Sequence, residues 1–382
     1  MTFSQQQAEV LDTAQDFEKA MTPPGWIFWD PDLYERDIRE IFGRMWLCVG
    51  HRSRLSEPGS YFLVDFGLES IIIVMDEQNQ HHAFYNVCRH RGTRIVKEST
   101  GKCRGFLCPY HSWHYSLDGT LRTAPLMDEM LGFDKNNFPL RRVQLEEFMG
   151  FLFINLDENT ESIANTFADF PDFKRLDIPN LVRVGYHDYL VDSNWKLICE
   201  NYHECYHCAN AHPQLHRISD FGGLPNSDES GINWIGGPMS IKSDFNTMTI
   251  SGTTDRQPLT GCTDVDKRLV YYFNLLPNCL LSICPDYLLT HYLRPRGPEQ
   301  VYIETEWFCS TEQMKDPTFD PSDAIEFWHK TNKQDWALCE NAMKGLKSSG
   351  HLPGRYQAGE TCTHLFDQWY VKKMFKDVII SQ

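Results

Sequence analysis

Two short segments that each combine a cysteine with a histidine constrain this chain most. They are Cys88-Arg89-His90 and Cys108-Pro109-Tyr110-His111, a C-x-H half and a C-x2-H half separated by 17 residues. Each half follows a strand-like run, so each is expected to form a loop at a strand end. Two loops that each offer a thiolate and an imidazole predict a four-ligand metal site.

Two kinds of metal centre fit this ligand set. A Rieske 2Fe–2S cluster takes two Cys on one iron and two His on the other. A structural zinc ion accepts the same donors, but zinc-binding halves more often read C-x2-C or H-x3-H. The neighbouring residues favour the cluster, since Gly92 permits close backbone approach and Trp113 is placed to shield the site. The predicted cluster ligands are Cys88, His90, Cys108 and His111.

A second concentration of ligand-type residues lies between positions 194 and 213. A mononuclear Fe(II) site that activates O2 needs two His and one carboxylate on one face, with the other face open. On an ideal helix two histidine pairs at i, i+4 share a face, namely His203/His207 and His212/His216. The pair His207/His212, at i, i+5, diverges by about 140°. Spacing therefore leaves the choice of histidines open.

The carboxylate is predicted on a long helix over residues 322–346. One stripe of this helix, at helical spacing, carries Trp328, Asp335, Leu338, Cys339 and Ala342. An aspartate within an apolar stripe is costly to bury unless it is paired or binds a metal. Asp335 is therefore the candidate third ligand, and a buried salt bridge is the alternative.

The remaining sequence indicates two domains in 382 residues. Short strand-like runs between turns predict an all-β module over 46–156. Residues 1–45 and 157–382 are expected to form an α+β domain around it. Within these limits, one strand is predicted over Phe148–Leu156 and one helix from Asn194 to Pro213, where proline should end it.

Charge and cysteine content narrow the function classes. A net charge of −16 disfavours nucleic acid and anionic membrane surfaces as partners. No apolar run is long enough to cross a bilayer and no signal peptide is apparent, so a cytoplasmic location is expected. Thirteen Cys in such a chain predict metal ligands and core thiols instead of a disulfide scaffold. Cys199, Cys205 and Cys208 are expected to be helix-packing thiols.

The two motif blocks together resemble the oxygenase component, or alpha subunit, of Rieske-type non-haem iron oxygenases. The first block is Cys88–Gly92 with Cys108–Trp113, and the second is the pattern E-N-x-x-E-x-Y-H-x4-H-P that begins at Glu200. The resemblance covers nearly the whole chain. It implies an all-β Rieske 2Fe–2S domain inserted into a larger helix-grip-like α+β catalytic domain with a mononuclear iron. The iron ligands that it implies are His207, His212 and Asp335, which leaves His203 and His216 outside.

The same resemblance implies catalytic roles for Glu204 and Asn201. In this family an acid at the position of Glu204 bridges, by hydrogen bonds, from a Rieske histidine of a neighbouring subunit to an iron-bound histidine. The partners here would be His111 and His207, and a homotrimer is expected. Aromatic-ring dioxygenases usually have Asp at this place, whereas Glu resembles the subgroup that acts on carnitine, glycine betaine, stachydrine and related quaternary amines. A solvated helix acid is the alternative.

The predicted activity is O2-dependent hydroxylation, oxidative N-demethylation or C–N cleavage of a small quaternary ammonium or N-methylated compound. The sequence has no G-x-G-x-x-G after a strand and no second iron–sulfur motif, so electrons are expected from NAD(P)H through a separate flavin- or ferredoxin-type reductase. An aromatic-ring-hydroxylating dioxygenase or a biosynthetic hydroxylase with the same iron site is the alternative. An electron carrier or a zinc-stapled module fits poorly, because a carrier needs only about a hundred residues.

Two further features have open interpretations. Aromatic residues within Tyr271–Phe273 and Tyr287–Tyr292 could cage a quaternary ammonium group, or form sheet core. Basic residues concentrate around the predicted cluster, with Glu98 as the one acid among them. They would form a docking face for an acidic electron donor, or solvate the loops. These basic residues are Arg89, Arg91, Arg94, Lys97, Lys102 and Arg104.

Overall fold

The chain divides between Ile41 and Phe42 and again between Ala164 and Asn165, which sets an all-β unit apart from an α+β unit. The computed structural model describes residues 9–220 and 229–380. The β module predicted over 46–156 lies inside the β unit. The mixed architecture confirms the predicted α+β class with an inserted all-β domain.

The β unit contains three antiparallel sheets, with the strand orders β1-β10-β9, β4-β3-β2-β5 and β6-β7-β8. The strands are β1 Leu47–His51, β2 Ser60–Phe66, β3 Glu69–Met75, β4 His81–Tyr85, β5 Thr100–Lys102, β6 Phe106–Leu107, β7 His114–Tyr115, β8 Leu121–Thr123, β9 Gln144–Phe148 and β10 Phe151–Asn155. In β2 every second residue is buried, which is the burial period of a strand with one face on a core. Cys88, Cys108 and Trp113 are buried in the same apolar cluster as Ile72 and Phe84. The predicted cluster cysteines therefore adjoin the core of this unit.

The strand predicted over Phe148–Leu156 is confirmed as β10, Phe151–Asn155, but it begins later than expected, because Phe148 ends β9 and a tight turn follows it. Strands β9 and β10 pair with Phe148 opposite Phe151. The two residues between them, Met149 and Gly150, have positive φ angles of 52° and 81°. Such a two-residue turn suits the twist of the flanking strands. The apolar side chain of Met149 continues the strand-like composition through the turn, and this conceals it in the sequence.

One antiparallel sheet forms the centre of the α+β unit, with the order β11-β17-β16-β15-β14-β13-β12. Its strands are β11 Val182–Val191, β12 Glu229–Ser230, β13 Trp234–Ser240, β14 Leu269–Leu275, β15 Cys279–Ile283, β16 Leu288–Gly297 and β17 Gln300–Cys309. From β13 to β17 each strand pairs with the next along the chain. β11 then adds to the free edge of β17.

The described residues also form helices, and one of them is much longer than the others. They are α1 Trp26–Trp29, α2 Pro31–Asp37, followed by a π-helical turn Ile38–Phe42, α3 Ile163–Thr166, α4 Trp195–Tyr202, α5 Cys208–Ala211, α6 Pro213–Ile218, α7 Ser322–Leu346, α8 Thr361–Met374 and α9 Lys376–Ile380. Phe327 and Trp328 of α7 share an apolar core with Leu215 of α6 and with Leu289 and Trp307 of the sheet. Through this core, α6 and α7 pack against the same sheet. In the part of the chain that the structure describes, no helix is both long and apolar enough to cross a membrane.

The predicted single helix from Asn194 to Pro213 is wrong. Helix α4 ends at Tyr202, and α5 begins only at Cys208. Pro213 does not end a helix but starts α6, at the first helical position. That position suits proline, because its missing N–H has no intrahelical acceptor there and its φ is already helical. This break between α4 and α5 sets the positions of Glu204 and His207.

A buried ion pair joins three helices of the α+β unit. Lys196 Nζ of α4 lies 2.6 Å from Asp37 Oδ2 of α2, and the two side chains are 2% and 0% exposed. Tyr370 of α8 donates to Asp37 Oδ1 at 2.7 Å. We expect Lys196→Met to lower the free energy of unfolding by about 3–5 kcal/mol, because it leaves a buried carboxylate without its countercharge. Urea denaturation measures this loss. The exposed Lys344→Met is the control, and equal midpoints for both variants would contradict the prediction.

Candidate active site

Two loops with the same hydrogen-bond pattern present the four predicted cluster ligands. In each loop a cysteine N–H donates to the carbonyl five residues on, and the residue four positions on donates back to the cysteine carbonyl. The bonds are Cys88 N to Thr93 O (2.9 Å), Gly92 N to Cys88 O (3.0 Å), Cys108 N to Trp113 O (2.8 Å) and Ser112 N to Cys108 O (3.1 Å). Gly92 and Ser112 have φ angles of 74° and 57°. A Cβ added to Gly92 would meet no atom within 4 Å. Glycine is therefore favoured at position 92 by its positive φ.

The side chains at these loops separate into a buried and an exposed pair. Cys88 and Cys108 are each 2% exposed, whereas His90 is exposed and His111 is half-buried. The Nδ1 atoms of the two histidines lie 3.1 Å apart. Two converging imidazole nitrogens on the solvent side and two thiols on the core side fit a 2Fe–2S cluster with one iron on each pair.

Two aromatic residues support this cluster site. The ring of Trp113 stacks on His90 at 4.9 Å with an interplanar angle of 5°, so it covers one ligand, in keeping with the shielding role expected for it. Tyr115 was not singled out by its sequence context. Its hydroxyl lies 3.3 Å from Cys88 Sγ and accepts from Arg89 N at 3.1 Å. Because that N–H takes a lone pair of the hydroxyl, the hydroxyl hydrogen is free to point at the sulfur. Hydrogen bonds to cluster sulfurs adjust the reduction potential.

The second site brings together the three side chains implied by the family resemblance. His212 Nε2 lies 2.7 Å from Asp335 Oδ1 and His207 Nε2 lies 3.2 Å from the same oxygen. The two Nε2 atoms are 3.2 Å apart. His203 and His216 do not join this group: His203 is buried against Phe366, and His216 is exposed. The i, i+4 pairs favoured by an ideal helix are therefore not the ones that converge, since the helix breaks before His207.

This triangle of donor atoms fits a divalent metal. Three facial ligands at about 2.1 Å from a metal lie about 3 Å from one another. Burial lowers the pKa of His207, but hydrogen bonds with Asp335 and Glu204 outweigh it and raise that pKa to about 10. Burial raises the pKa of Asp335, yet its hydrogen bonds with His207 and His212 bring it below the ordinary value. A site that holds a proton this firmly favours a cation at the same point.

Neighbouring acceptors orient both imidazoles toward the triangle. Gln334 Oε1 lies 2.8 Å from His212 Nδ1 and 2.7 Å from Gln214 Nε2. An amide oxygen only accepts, so His212 carries its hydrogen on Nδ1 and presents the Nε2 lone pair to the site. Glu204 Oε1 plays the same part for His207 Nδ1. Sequence analysis did not identify this role of Gln334. Its position directly before Asp335 was the one feature of the sequence that could have indicated it.

Cys205 and Cys208 form a disulfide, so the prediction of packing thiols is wrong at these two positions. Their Cα atoms are 4.9 Å apart across the start of α5. Cys208 Sγ lies close enough to His207 and His212 to be a metal ligand by distance. The disulfide removes its thiolate, which leaves Asp335 as the anionic donor of the site. Cys199 is a buried free thiol, as expected.

A cavity adjoins the three donors and has a continuous aromatic wall. Trp328, Tyr272, Tyr202, His291 and Trp336 line it together with Asn201, Glu204 and the three donor residues. Each aromatic ring contacts the next edge to face, with centroids 6.0–6.4 Å apart and interplanar angles of 66–89°. Tyr272 and His291 come from the two segments for which an ammonium cage and sheet core were both left open. The other rings of those segments do not line the cavity; Tyr271, for example, packs on Phe173.

The basic residues around the cluster loops divide into two groups. Arg91 lies over the ring of Tyr110, Arg89 donates to Pro139 O at 2.9 Å, and Lys102 pairs with Glu57 at 2.6 Å. The other three are exposed and form no salt bridge among the residues that the structure describes. They are Arg94, Lys97 and Arg104. Three of the six basic residues thus have local partners, and the other three project into solvent.

Comparison with known proteins gives the same two-part organisation. Residues 45–144 match the Rieske [2Fe-2S] domain, and residues 178–376 match the ring hydroxylating alpha subunit (catalytic domain). The chain is 29% identical to the glycine betaine monooxygenase oxygenase subunit of Chromohalobacter salexigens, covering 90% of this chain and 84% of that protein. It is 27% identical to the chloroplastic choline monooxygenase of Amaranthus tricolor, with 92% and 77% covered.

Solved structures show the same likeness. The crystal structure of a quaternary ammonium Rieske monooxygenase in complex with L-carnitine superposes with a TM-score of 0.77 and 25% identity, over 96% of this chain and 98% of that one. Both domain matches occur in the order that the structure shows. The chain therefore belongs to the ring-hydroxylating alpha subunits, the Rieske-type oxygenases that bind one 2Fe–2S cluster and one mononuclear iron.

Proposed function

We propose that this protein is the terminal oxygenase of a system that uses O2 to hydroxylate a small quaternary ammonium or N-methylated compound. The observation that carries the proposal is the aromatic wall beside the two-histidine, one-carboxylate site. Aromatic faces attract a desolvated organic cation through their quadrupoles. Relatives named for glycine betaine, carnitine and choline support the same substrate class.

The site residues have separate tasks in this proposal. Cys88, His90, Cys108 and His111 hold the cluster, and His207, His212 and Asp335 hold the mononuclear iron. When bound, these two groups supply electrons and activate O2. The aromatic wall places the ammonium group of the substrate. The overall reaction is R–H + O2 + 2 electrons + 2 protons giving R–OH + H2O, and hydroxylation of an N-methyl group would release formaldehyde.

Electron supply requires a partner, and we propose a separate reductase of flavin or ferredoxin type that draws on NAD(P)H. We also propose a homotrimer in the cytoplasm, in which electrons pass from the cluster of one subunit to the iron of the next. A solved relative is described in terms of inter-subunit electron transfer. In this chain the exposed edge of His90 and the half-buried His111 leave the cluster site open to another molecule. Arg94, Lys97 and Arg104 would attract an acidic donor.

Glu204 and Asn201 are the proposed residues between cluster and iron. Glu204 contacts His207 through both its Nδ1 and its backbone N–H, and Asn201 lines the same cavity. We expect Glu204→Gln to retain both metal centres and to lower turnover about 10–100-fold, since the charge that orients and polarises His207 is lost. Stopped-flow oxidation of the pre-reduced cluster, in the presence of O2 and substrate, measures the effect. Unchanged cluster oxidation would contradict a bridging role.

A single-turnover experiment tests the proposed function directly. The holoenzyme is reduced, freed of reductant and exposed to O2 with choline, glycine betaine, L-carnitine or naphthalene. We expect one oxidised product per active site from at least one quaternary ammonium compound, identified by mass spectrometry. Oxidation of naphthalene alone would instead establish the aromatic-ring alternative.

A further inference from the structure

The cavity beside the mononuclear site has no cationic side chain to receive a carboxylate. Glu204 and Asp335 are acidic, and none of the described residues that line the cavity is Lys or Arg. Two of its histidines, His203 and His291, are buried, and burial lowers their pKa values to about 3 and about 4. Both are therefore neutral near pH 7. Away from the iron, the lining side chains therefore give a substrate carboxylate no countercharge.

The hydrogen-bonding state of His291 follows from its contact with Asn332. His291 Nε2 lies 3.2 Å from Asn332 Oδ1, while Asn332 Nδ2 faces Tyr189 OH at 3.5 Å. Because the amide oxygen only accepts, His291 must carry its hydrogen on Nε2. Its Nδ1 is then a lone pair, and this buried atom has no protein partner.

The adjoining ring, that of Trp336, carries an unpaired hydrogen-bond donor. Trp336 contacts His291 edge to face at 6.0 Å, and its Nε1–H is a buried donor that also has no protein partner. Tryptophan can only donate. One unpaired acceptor and one unpaired donor therefore lie on neighbouring rings of the cavity wall. An alcohol O–H can satisfy both, since it donates once and accepts as well. A carboxylate can satisfy only the donor, and it would face the His291 lone pair.

We propose that this pocket selects a quaternary ammonium alcohol, of the choline type, over zwitterions that carry a carboxylate. His291 and Trp336 are the specificity residues, and the remaining aromatic wall binds the ammonium group. This inference rests on the proposed function and narrows its substrate class.

Anaerobic calorimetric titration of the iron-loaded holoenzyme tests the proposal, with choline, glycine betaine, L-carnitine and tetramethylammonium as ligands. We expect choline to bind at least roughly tenfold more tightly than either zwitterion, with tetramethylammonium between them. Zwitterions that bind as tightly as choline would overturn the inference and leave the proposed function intact. Binding of none of the four, with the metals in place, would overturn both.

Two ring-preserving variants locate the selectivity. His291→Phe removes the acceptor, and Trp336→Phe removes the donor. Each should weaken choline about tenfold toward the affinity of tetramethylammonium. Tetramethylammonium has neither hydroxyl nor carboxylate, so each variant should reduce its affinity less than that of choline. A preference for choline that survives both substitutions would overturn the assignment of His291 and Trp336. The ranking of ligands on the unaltered protein remains decisive if a variant does not fold.

Discussion

Asp335→Ala is expected to lower the iron content from three to two per chain and to abolish turnover. Two of these irons belong to the Rieske cluster and one to the mononuclear site. Asp335 Oδ1 is the anionic member of the donor triangle, 2.7 Å from His212 Nε2 and 3.2 Å from His207 Nε2. Without it, two imidazoles remain, and a two-ligand site holds a divalent ion weakly.

Metal analysis, visible absorbance and EPR of the reduced protein separate the two sites. The Rieske signal should be the same in Asp335→Ala as in the unaltered protein, because the proposed cluster ligands all lie in the other unit. Glu326→Gln is the matched control, an exposed acid on the same helix, and it should retain all three irons. Three irons in Asp335→Ala would show that Asp335 is not a ligand. Zinc with no visible absorbance would remove the cluster assignment as well.

The geometry of the cluster site follows from the sequence more directly than that of the mononuclear site. The proposed cluster ligands lie in two short loops, and each loop is closed by backbone hydrogen bonds within six residues. Local spacing therefore carries most of the geometry. The proposed iron ligands converge because the helix breaks between Tyr202 and Cys208, where the composition remains helix-like. Periodicity favoured His203/His207 or His212/His216, and only family resemblance pointed to His207/His212.

The apolar stripe that pointed to Asp335 is only partly present on α7. Trp328 and Cys339 of the predicted stripe are buried, at 5% and 3% exposure, but Leu338 and Ala342 are exposed. Asp335 lies at the edge of the buried face of α7, where it meets His212 of another segment. Such meetings join residues more than a hundred positions apart, as Gln334 with His212 does. An amphipathic pattern identifies the buried face of a helix, but not the side chain of another segment that this face contacts.

The position of Glu204 leads to a prediction about subunits. His90 and His111 present an open edge of the cluster site, and Tyr206, two residues from Glu204, is 66% exposed. If electrons cross between subunits at these surfaces, a chain without the mononuclear iron can still serve a neighbour that has it. Asp335→Ala should be such a donor. Cys108→Ser, which removes a cluster ligand but leaves the iron triangle, should be such an acceptor.

Each of these two variants alone is expected to be inactive, and co-expression of both should restore turnover. In a cyclic trimer with equal and random mixing, half of the chains can donate and half can accept, so about a quarter of the interfaces are productive. Turnover should therefore recover to about a quarter of the unaltered level, as measured by product formation after native mass spectrometry confirms mixed trimers. Mixed trimers without turnover would mean that cluster and iron cooperate only within one chain, and the bridging role proposed for Glu204 would then have to be intramolecular. Recovery would instead mean that electrons pass between subunits, as the bridge proposed from Glu204 to the cluster of another copy requires.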